Sequence, residues 1–280
     1  MLVKNCTAAK ICREGYDMCL ILFAYETHPR YRLVLAANRD EFFDRPTAAL
    51  DQWQDHPHVV AGRDLKEMGT WMGINRRGYL AAITNYRDPA DIQPRAPSRG
   101  HLVADYLTGD VPARSYLEQV EARGRRYNGF NLLVGDTGGL YYFSNRDQTG
   151  VRRIAPGYYG LSNHLLNTPW PKVESGVRAL AAVLEKDIHP DLESMLDLLM
   201  NQTPAADDRL PDTGVSRAWE KILSSVFIRS SNYGTRSSSL LLVDDQGGMT
   251  FIERTWENGS GAPKERETRK FEVSATGTGC

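Results

Sequence analysis

One thiol and a run of four polar side chains are the residues of this chain whose types and positions suit joint chemistry. Cys19 precedes the apolar run 20–25, and the polar residues 26–30 separate that run from a second one at 33–37. Two apolar runs of strand length predict two buried strands joined by a turn. The second run leads into Asn-Arg-Asp-Glu at 38–41, which an antiparallel return brings beside Cys19. This combination predicts a candidate active centre.

The chemistry depends on whether Cys19 becomes the first residue, and Met18 directly before it offers a second start. An N-terminal cysteine carries an α-amine with a pKa of about 7.7–8.0, which can take the proton of its own thiol at neutral pH. Asp40 would then orient the ammonium form, and Arg39 would favour the thiolate. The alternative is a small buried cysteine beside a strand-end salt bridge, in which Arg39 and Glu41 share one face of the strand.

Polar side chains also flank other predicted strands. Asn85 closes one apolar run, Asn163 closes another, and Arg236 precedes the run 237–243. An asparagine amide is a neutral donor suited to an oxyanion, and an arginine suits a carboxylate or a thiolate. The alternative for each asparagine is a cap at a turn or strand end. A shared catalytic site requires these side chains to meet in one cleft.

No cofactor and no metal site are predicted. Neither a glycine-rich phosphate loop nor a dinucleotide fingerprint occurs in the sequence. The histidines show no spacing typical of metal ligands; they are His28, His56, His58, His101, His164 and His189.

Length and charge exclude several classes of protein. The chain has 280 residues and a mass of 31.4 kDa, enough for one substantial core. A net charge of −1 and a pI near 6.6 give no electrostatic basis for binding nucleic acid. No apolar run approaches the roughly 20 residues that an integral membrane helix needs. Cys19 has no disulfide partner in the body of the chain, and residues 1–17 lack the apolar core of a secretory signal, which predicts a cytoplasmic protein.

The apolar periodicity predicts an antiparallel α+β fold. Blocks of strands alternate with blocks of helices, and most strands are joined as hairpins. Residues 171–186 predict a helix with an apolar stripe at Val173, Val177, Leu180 and Leu184. Further strands are predicted at 226–229 and 237–243. We expect residues 18–273 to form a single domain, residues 1–17 to be a propeptide or a misassigned start, and residues 274–280 to be a disordered tail.

Eight motifs, in order along the chain, resemble those of the NRDE family, which includes the transport and Golgi organisation protein 2 group. The resemblance covers about Met18 to Val273. The motifs are Met-Cys-Leu-Ile at 18–21, Ala-Asn-Arg-Asp-Glu-Phe at 37–42, Gly-Thr-Trp-Met-Gly at 69–73, Thr-Asn-Tyr at 84–86, Tyr-Asn-Gly-Phe-Asn at 127–131, Tyr-Gly-Leu-Ser-Asn at 159–163, Thr-Pro-Trp-Pro-Lys at 168–172 and Tyr-Gly-Thr-Arg at 233–236.

More distantly, the chain is similar to N-terminal nucleophile hydrolases of the choloylglycine hydrolase and penicillin V acylase type. That resemblance implies a four-layer αββα sandwich of two antiparallel sheets. It also implies that Cys19 is the nucleophile, Asn85 an oxyanion amide, Asn163 a second active-site amide and Arg236 a late catalytic arginine.

Two features depart from the acylase pattern. The acylases place an arginine three residues before the aspartate that holds the amine, and this chain has Ala37 there. Either Arg39 reaches the site by a different turn or the cation is lost. The second departure is the stretch 1–18, since Cys19 can use its amine only when those residues are absent or removed.

Two functions follow from these expectations. The first is a cysteine N-terminal nucleophile hydrolase that cleaves a linear amide or thioester through an acyl-enzyme. The alternative is a non-catalytic protein that binds and transfers an acyl-lipid, acyl-CoA or haem on the same fold. For haem, Cys19 or a histidine would serve as the axial ligand. The NRDE resemblance associates the chain with lipid homeostasis, haem trafficking and Golgi organisation. A scaffold role is the third and weakest reading.

Overall fold

A computed structural model of the chain describes residues 18–259 and 261–274. The expected extension at 1–17 and nearly all of the expected tail lie outside the described residues. The strands are β1 (Met18–Tyr25), β2 (Tyr31–Phe42), β3 (Thr47–Gln52), β4 (Val59–Asp64), β5 (Met72–Asn75), β6 (Leu80–Asn85), β7 (Phe130–Asp136), β8 (Gly139–Ser144), β9 (Arg152–Arg153), β10 (Gly157–Leu161), β11 (Tyr233–Asp244), β12 (Met249–Trp256) and β13 (Glu265–Val273). The α-helices are α1 (Gly100–Thr108), α2 (Ala113–Arg123), α3 (Pro171–Lys186), α4 (Leu192–Asp197) and α5 (Arg217–Leu223).

The strands form two antiparallel sheets that stack on one another. The first sheet has the order β10-β1-β2-β11-β12-β13, and the second runs from β3 to β9 in chain order. One apolar core lies between the two sheets. A second core joins the outer face of the second sheet to α1 and α2, and a third joins the outer face of the first sheet to α3 and α4. The layers are therefore α, β, β and α, which confirms the predicted fold class.

The central hairpin of β1 and β2 is covered on both faces, which explains its continuous apolar sequence. Leu20 and Leu22 point toward the helices, whereas Ile21 and Phe23 point into the core between the sheets. Successive side chains of a strand alternate between its faces. Each of these four side chains is at most 2 % exposed, and burial of one such side chain contributes about 1.5–3 kcal/mol.

Helix α3 lies close against β1 because a glycine faces the strand. Pro171 occupies the first helical turn, where the missing backbone N–H costs nothing. A Cβ atom on Gly176 would approach the side chain of Leu22 to 2.7 Å. The glycine therefore allows a helix–sheet approach that a larger residue would prevent.

Three parts of the chain differ from the sequence prediction. β2 continues through the polar residues 38–41 to Phe42, because β11 pairs with it along its whole length. The predicted strand at 226–229 is wrong: Arg229 makes an isolated β-bridge to Gly234, and the backbone N–H of Ile228 donates to the Thr235 hydroxyl at 2.9 Å. Helix α5 has too short an apolar pattern to be found in the sequence. Among the described helices, none has the length and apolar character to cross a bilayer.

Candidate functional site

Cys19 lies at the start of an inner strand and lines a cleft of about 730 Å³. Its cross-strand neighbour on β2 is Arg39. By strand alternation its side chain has the orientation of Ile21, toward the space between the sheets. The backbone carbonyl of Cys19 accepts a hydrogen bond from the Ser162 hydroxyl at 3.1 Å. The antiparallel return that the sequence predicted therefore places a thiol on the cleft wall beside a guanidinium.

Arg39 is a buried cation on the cleft side of β2. Its guanidinium lies over the ring of Trp71, with 4.3 Å from Cζ to the ring centroid. Its Nη2 is 3.4 Å from a carboxylate oxygen of Glu41, and both side chains are less than 10 % exposed. Arg39 and Glu41 share one strand face, as the sequence predicted. Arg39 is opposite Cys19, so a cation lies beside the thiol although Ala37 occupies the position of the acylase arginine.

Asp40 points to the other side of the sheet, toward the helices. One carboxylate oxygen accepts a hydrogen bond from the Thr235 hydroxyl at 2.6 Å, and the other oxygen has no hydrogen-bond partner among the described residues. Burial raises the pKa of Asp40 to about 6, although the charges of Lys172 and Arg39 and the hydrogen bond from Thr235 act to lower it. In the β1–β2 register Asp40 is opposite Met18, the residue before Cys19.

Lys172 is a buried cation that the sequence did not reveal. It lies in the first turn of α3 and is 3 % exposed. Burial lowers the pKa of Lys172 to about 8, and the charge of Asp40 acts in the opposite direction. The available signal was its spacing, because Lys172 stands four residues before Gly176 and eight before Leu180, on the buried stripe of the helix.

The two predicted asparagines lie next to one another, but only one lines the cleft. Asn85 ends β6 and borders the cleft. Asn163 is fully buried, and its amide nitrogen donates to the backbone carbonyl of Asn85 at 3.0 Å. The backbone carbonyl of Asn163 accepts from the N–H of Arg87 at 2.8 Å. Asn163 thus holds the end of β6, where Asn85 meets the cleft.

Arg236 is placed behind the cleft wall. It sits at an irregularity in the pairing of β11 with β2. Its Nη1 donates to the backbone carbonyls of Phe42 and Arg45 at 2.9 and 3.1 Å. Burial lowers the pKa of its guanidinium. Phe42 and Arg45 line the cleft, so Arg236 fixes the turn that carries them.

Four of the six predicted site residues therefore border one cleft, and the remaining two support its walls. The wall is mixed in character, with both signs of charge and several apolar side chains. Its acidic members are Glu41, Asp44, Asp64 and Glu67; its basic members are Arg39, Arg45, Lys66 and Arg99; its larger apolar members are Phe42, Trp71 and Ile83. Asp40 also borders the cleft, but its carboxylate accepts from Thr235 on the helix side of the sheet.

A second buried ion pair next to the site was also missed by sequence reasoning. Arg87 and Glu220 are each 2 % exposed in their side chains, with 2.6 Å between nitrogen and oxygen. The guanidinium of Arg87 also lies 5.0 Å from the ring centroid of Trp170. Glu220 belongs to α5, a helix that the sequence did not predict, so nothing indicated the pairing.

The arrangement suits thiol chemistry. A thiolate on Cys19 would face the Arg39 guanidinium, and a carbonyl group in the cleft would lie within the same wall as Asn85. Within residues 18–259 and 261–274, no group of three or more histidine, cysteine, aspartate or glutamate side chains is arranged to hold a metal ion.

A four-layer αββα sandwich with a cysteine at the start of an inner strand, open to a cleft, is the class that the fold and the site define. Within it, the sequence model described as Transport and Golgi organisation 2 matches residues 18–258. The chain belongs to this family.

Relatives at moderate identity match over nearly the whole chain. The transport and Golgi organization protein 2 homolog of Bos taurus is 38 % identical over 277 residues, covering 92 % of this chain and 100 % of the relative. The Homo sapiens homolog is 37 % identical over 279 residues with the same coverage. A solved structure, the Caenorhabditis elegans ortholog of N-acylethanolamine-hydrolyzing acid amidase, aligns with a TM-score of 0.45 at 10 % identity, over 80 % of this chain and 92 % of that chain.

Proposed function

We propose that the chain is a cysteine hydrolase of the N-terminal nucleophile type, which cleaves a linear amide or thioester through an acyl-enzyme on Cys19. The observation that carries the proposal is the placement of Cys19: its thiol lies on the cleft wall opposite Arg39, while Asp40 lies opposite the preceding residue. A cysteine that only filled the core would need neither the cleft nor a buried cation beside it.

The reaction begins when residues 1–18 are absent and the α-amine of Cys19 is neutral. The amine takes the thiol proton, and the sulfur forms a bond to the substrate carbonyl carbon. The oxyanion that results is stabilised by amide donors such as that of Asn85. The bond to the leaving nitrogen or sulfur then breaks, and the leaving group takes the proton from the ammonium. Water attacks the thioester in the same way, releasing the acid and restoring the thiol.

Asp40 supports this cycle from the other face of the sheet. Its unsatisfied carboxylate oxygen is buried, and a buried carboxylate oxygen without a donor is costly. An ammonium group at the start of Cys19 would supply the missing donor, because Asp40 is already in register with the residue before it. We infer that Asp40 orients the amine.

The second candidate function is a carrier for an acyl-lipid, acyl-CoA or haem. The observation that favours it is that β1 includes Met18, whose backbone pairs with Asp40, so a peptide bond occupies the place of the amine. In that form the cleft would bind without turnover. The word transport in the names of the relatives agrees with this candidate.

Substrate hydrolysis by two forms of the protein distinguishes the candidates. The full chain and the form with Cys19 as residue one, checked by intact mass, are assayed with acyl thioesters and with linear N-acyl amides of a fluorogenic amine. We expect turnover only when Cys19 is residue one, together with a mass increase equal to the acyl group. Cys19→Ala should abolish both and leave the fold intact, since the change removes one small atom.

Cys280→Ala is the matched control, because it removes another thiol of the same chain. If neither form turns over, and Cys19→Ala binds acyl-CoA as tightly as the unaltered protein, the carrier function replaces the hydrolase.

A further inference from the structure

Lys172 carries a charge that the fold does not need. Its side chain is buried, and Nζ has no hydrogen-bond partner among the described residues. A buried ammonium costs several kcal/mol unless it is paired. The first turn of a helix adds to this cost, because the positive end of the helix dipole repels a cation. A methionine of similar length would fill the same space without either cost.

The position of α3 directs Lys172 toward Cys19. Gly176, one turn later on the same stripe, lies against Leu22 of β1. Trp170, just before the helix, packs on Arg87, which follows β6 at the end that carries Asn85. The N-terminal end of α3 is therefore at the same end of the molecule as the start of β1.

The groups that face Lys172 come from four elements. They are Asp40 on β2, Cys19 on β1, Arg87 after β6 and Glu220 on α5. Glu220 is already paired with Arg87. Asp40 is thus the anion that remains for Lys172, although the two side chains are not within 4.0 Å in the described structure. Asp40 itself is also influenced by Arg39 and Glu41.

We propose that Lys172 is a positioning residue for Cys19: its buried ammonium keeps Asp40 ionised and favours the thiolate from behind the sheet. The inference rests on the proposed function, since a positioning role requires a nucleophile. It differs from a catalytic role because Lys172 is absent from the cleft wall, where a substrate would bind.

The opposing effects of the two buried groups explain why both are needed. Burial alone favours the neutral forms of Asp40 and Lys172, and each charge offsets part of that effect on the other. With the amine of Cys19 nearby, Asp40 attracts the ammonium form and Lys172 disfavours it. A general base must be neutral in part near the working pH, and Lys172 acts in that direction.

The test is the pH dependence of Cys19 alkylation by iodoacetamide in the full chain, followed by mass spectrometry of the peptide that contains Cys19. For Lys172→Met we expect the rate at pH 7 to fall by about threefold to tenfold, with the midpoint shifted about 0.5–1 pH unit upward, as expected for loss of one nearby charge. Lys172→Arg should keep the rate within about twofold, because it keeps the charge. Lys221→Met is the matched control, since Lys221 pairs with Asp207 on the surface of α5.

Thermal unfolding of the same variants separates a positioning role from a structural one. Lys172→Met should leave the Tm unchanged or raise it, because an apolar residue replaces an unsatisfied buried charge. A folded Lys172→Met protein with an unchanged alkylation profile would overturn the proposal, and so would an equal shift in Lys221→Met. Should Lys172→Met fail to fold, Lys172→Gln is judged by the same two criteria.

The readout is independent of turnover. A shifted profile in a protein that hydrolyses nothing refutes the hydrolase and leaves the role of Lys172 standing. Turnover with an unshifted alkylation profile supports the hydrolase and refutes the role of Lys172.

Discussion

The arginine of β11 offers a sharp test, because resemblance and structure assign it different roles. The resemblance implies that Arg236 is catalytic, whereas its Nη1 binds two backbone carbonyls of the turn after β2. Arg236→Met removes the donor and keeps most of the apolar stem. If the structural role is correct, stability falls and the thiol of Cys19 keeps its reactivity.

The expected loss of stability depends on the hydrogen bonds that each carbonyl still accepts after the substitution. The carbonyl of Phe42 still accepts from the N–H of Arg45, and the carbonyl of Arg45 still accepts from the Thr47 hydroxyl. Neither oxygen is orphaned, so the cost is the net value of the lost bonds and not a full desolvation penalty. A bond from a charged donor contributes about 1.5–3 kcal/mol. The two bonds together would contribute about 3–6 kcal/mol, and partial exposure and the retained donors reduce the expected total to about 2–3 kcal/mol.

Urea unfolding of the full chain measures this change in free energy, and Cys19 alkylation measures the site. Arg229→Met is the matched control: Arg229 donates through Nη1 to one backbone carbonyl, that of Glu257, at an exposed position. Its cost should stay below about 1 kcal/mol. Unchanged stability of Arg236→Met, combined with a tenfold loss of Cys19 alkylation, would refute the structural role of Arg236 in the turn after β2 and support a direct role at the thiol.

Two further predictions concern buried charges near the site. Glu220→Ala should lower the free energy of unfolding by about 3–5 kcal/mol, because it leaves the Arg87 guanidinium buried without its carboxylate; urea unfolding measures it, and a loss below about 1 kcal/mol would contradict the pairing. Stability should also follow the titration of Asp40 and Lys172. Folding raises the pKa of Asp40 to about 6, so the free energy of unfolding should fall as the pH rises from about 4 to 6. Folding lowers the pKa of Lys172 to about 8, so the free energy of unfolding should rise again between about pH 8 and pH 10.5, the ordinary pKa of lysine. In Lys172→Met, the free energy of unfolding should no longer rise above about pH 8. If the rise persists in that variant, another group causes it.

The sequence predicted the central hairpin and the helix at 171–186 because the spacing of apolar residues indicates both elements. Two apolar runs that flank a short turn can bury both faces only as neighbouring strands. The bounds of α3 follow from Pro171 at its first turn. The facing of Arg39 and Asp40 was likewise predictable, since alternation along a strand is fixed by geometry.

The roles of the supporting residues could not be predicted, because these roles depend on contacts between distant parts of the chain. The sequence pattern placed Val177 on the inner stripe of α3, and the structure buries Lys172 and Gly176 there more deeply. Because lysine and glycine are not apolar, the hydropathy pattern does not show that they face the sheet, and the orientation of α3 is predicted wrongly by a fraction of a turn. The partners of Arg236 are backbone carbonyls, which every residue possesses.

The first sheet separates two groups of charges around Cys19, one on the cleft side that a ligand would meet and one on the helix side that it would not. Arg39 and Trp71 stand on the cleft side, and Lys172 with Thr235 stands on the helix side. Substitutions of cleft-wall residues other than Arg39 and Glu41 can therefore change which molecules enter while the charges next to Cys19 stay the same. Changes in α3 can adjust that balance without altering the shape of the cleft. Under the proposed function, the shape of the cleft and part of the charge around the thiol could therefore change independently, while Arg39 belongs to both.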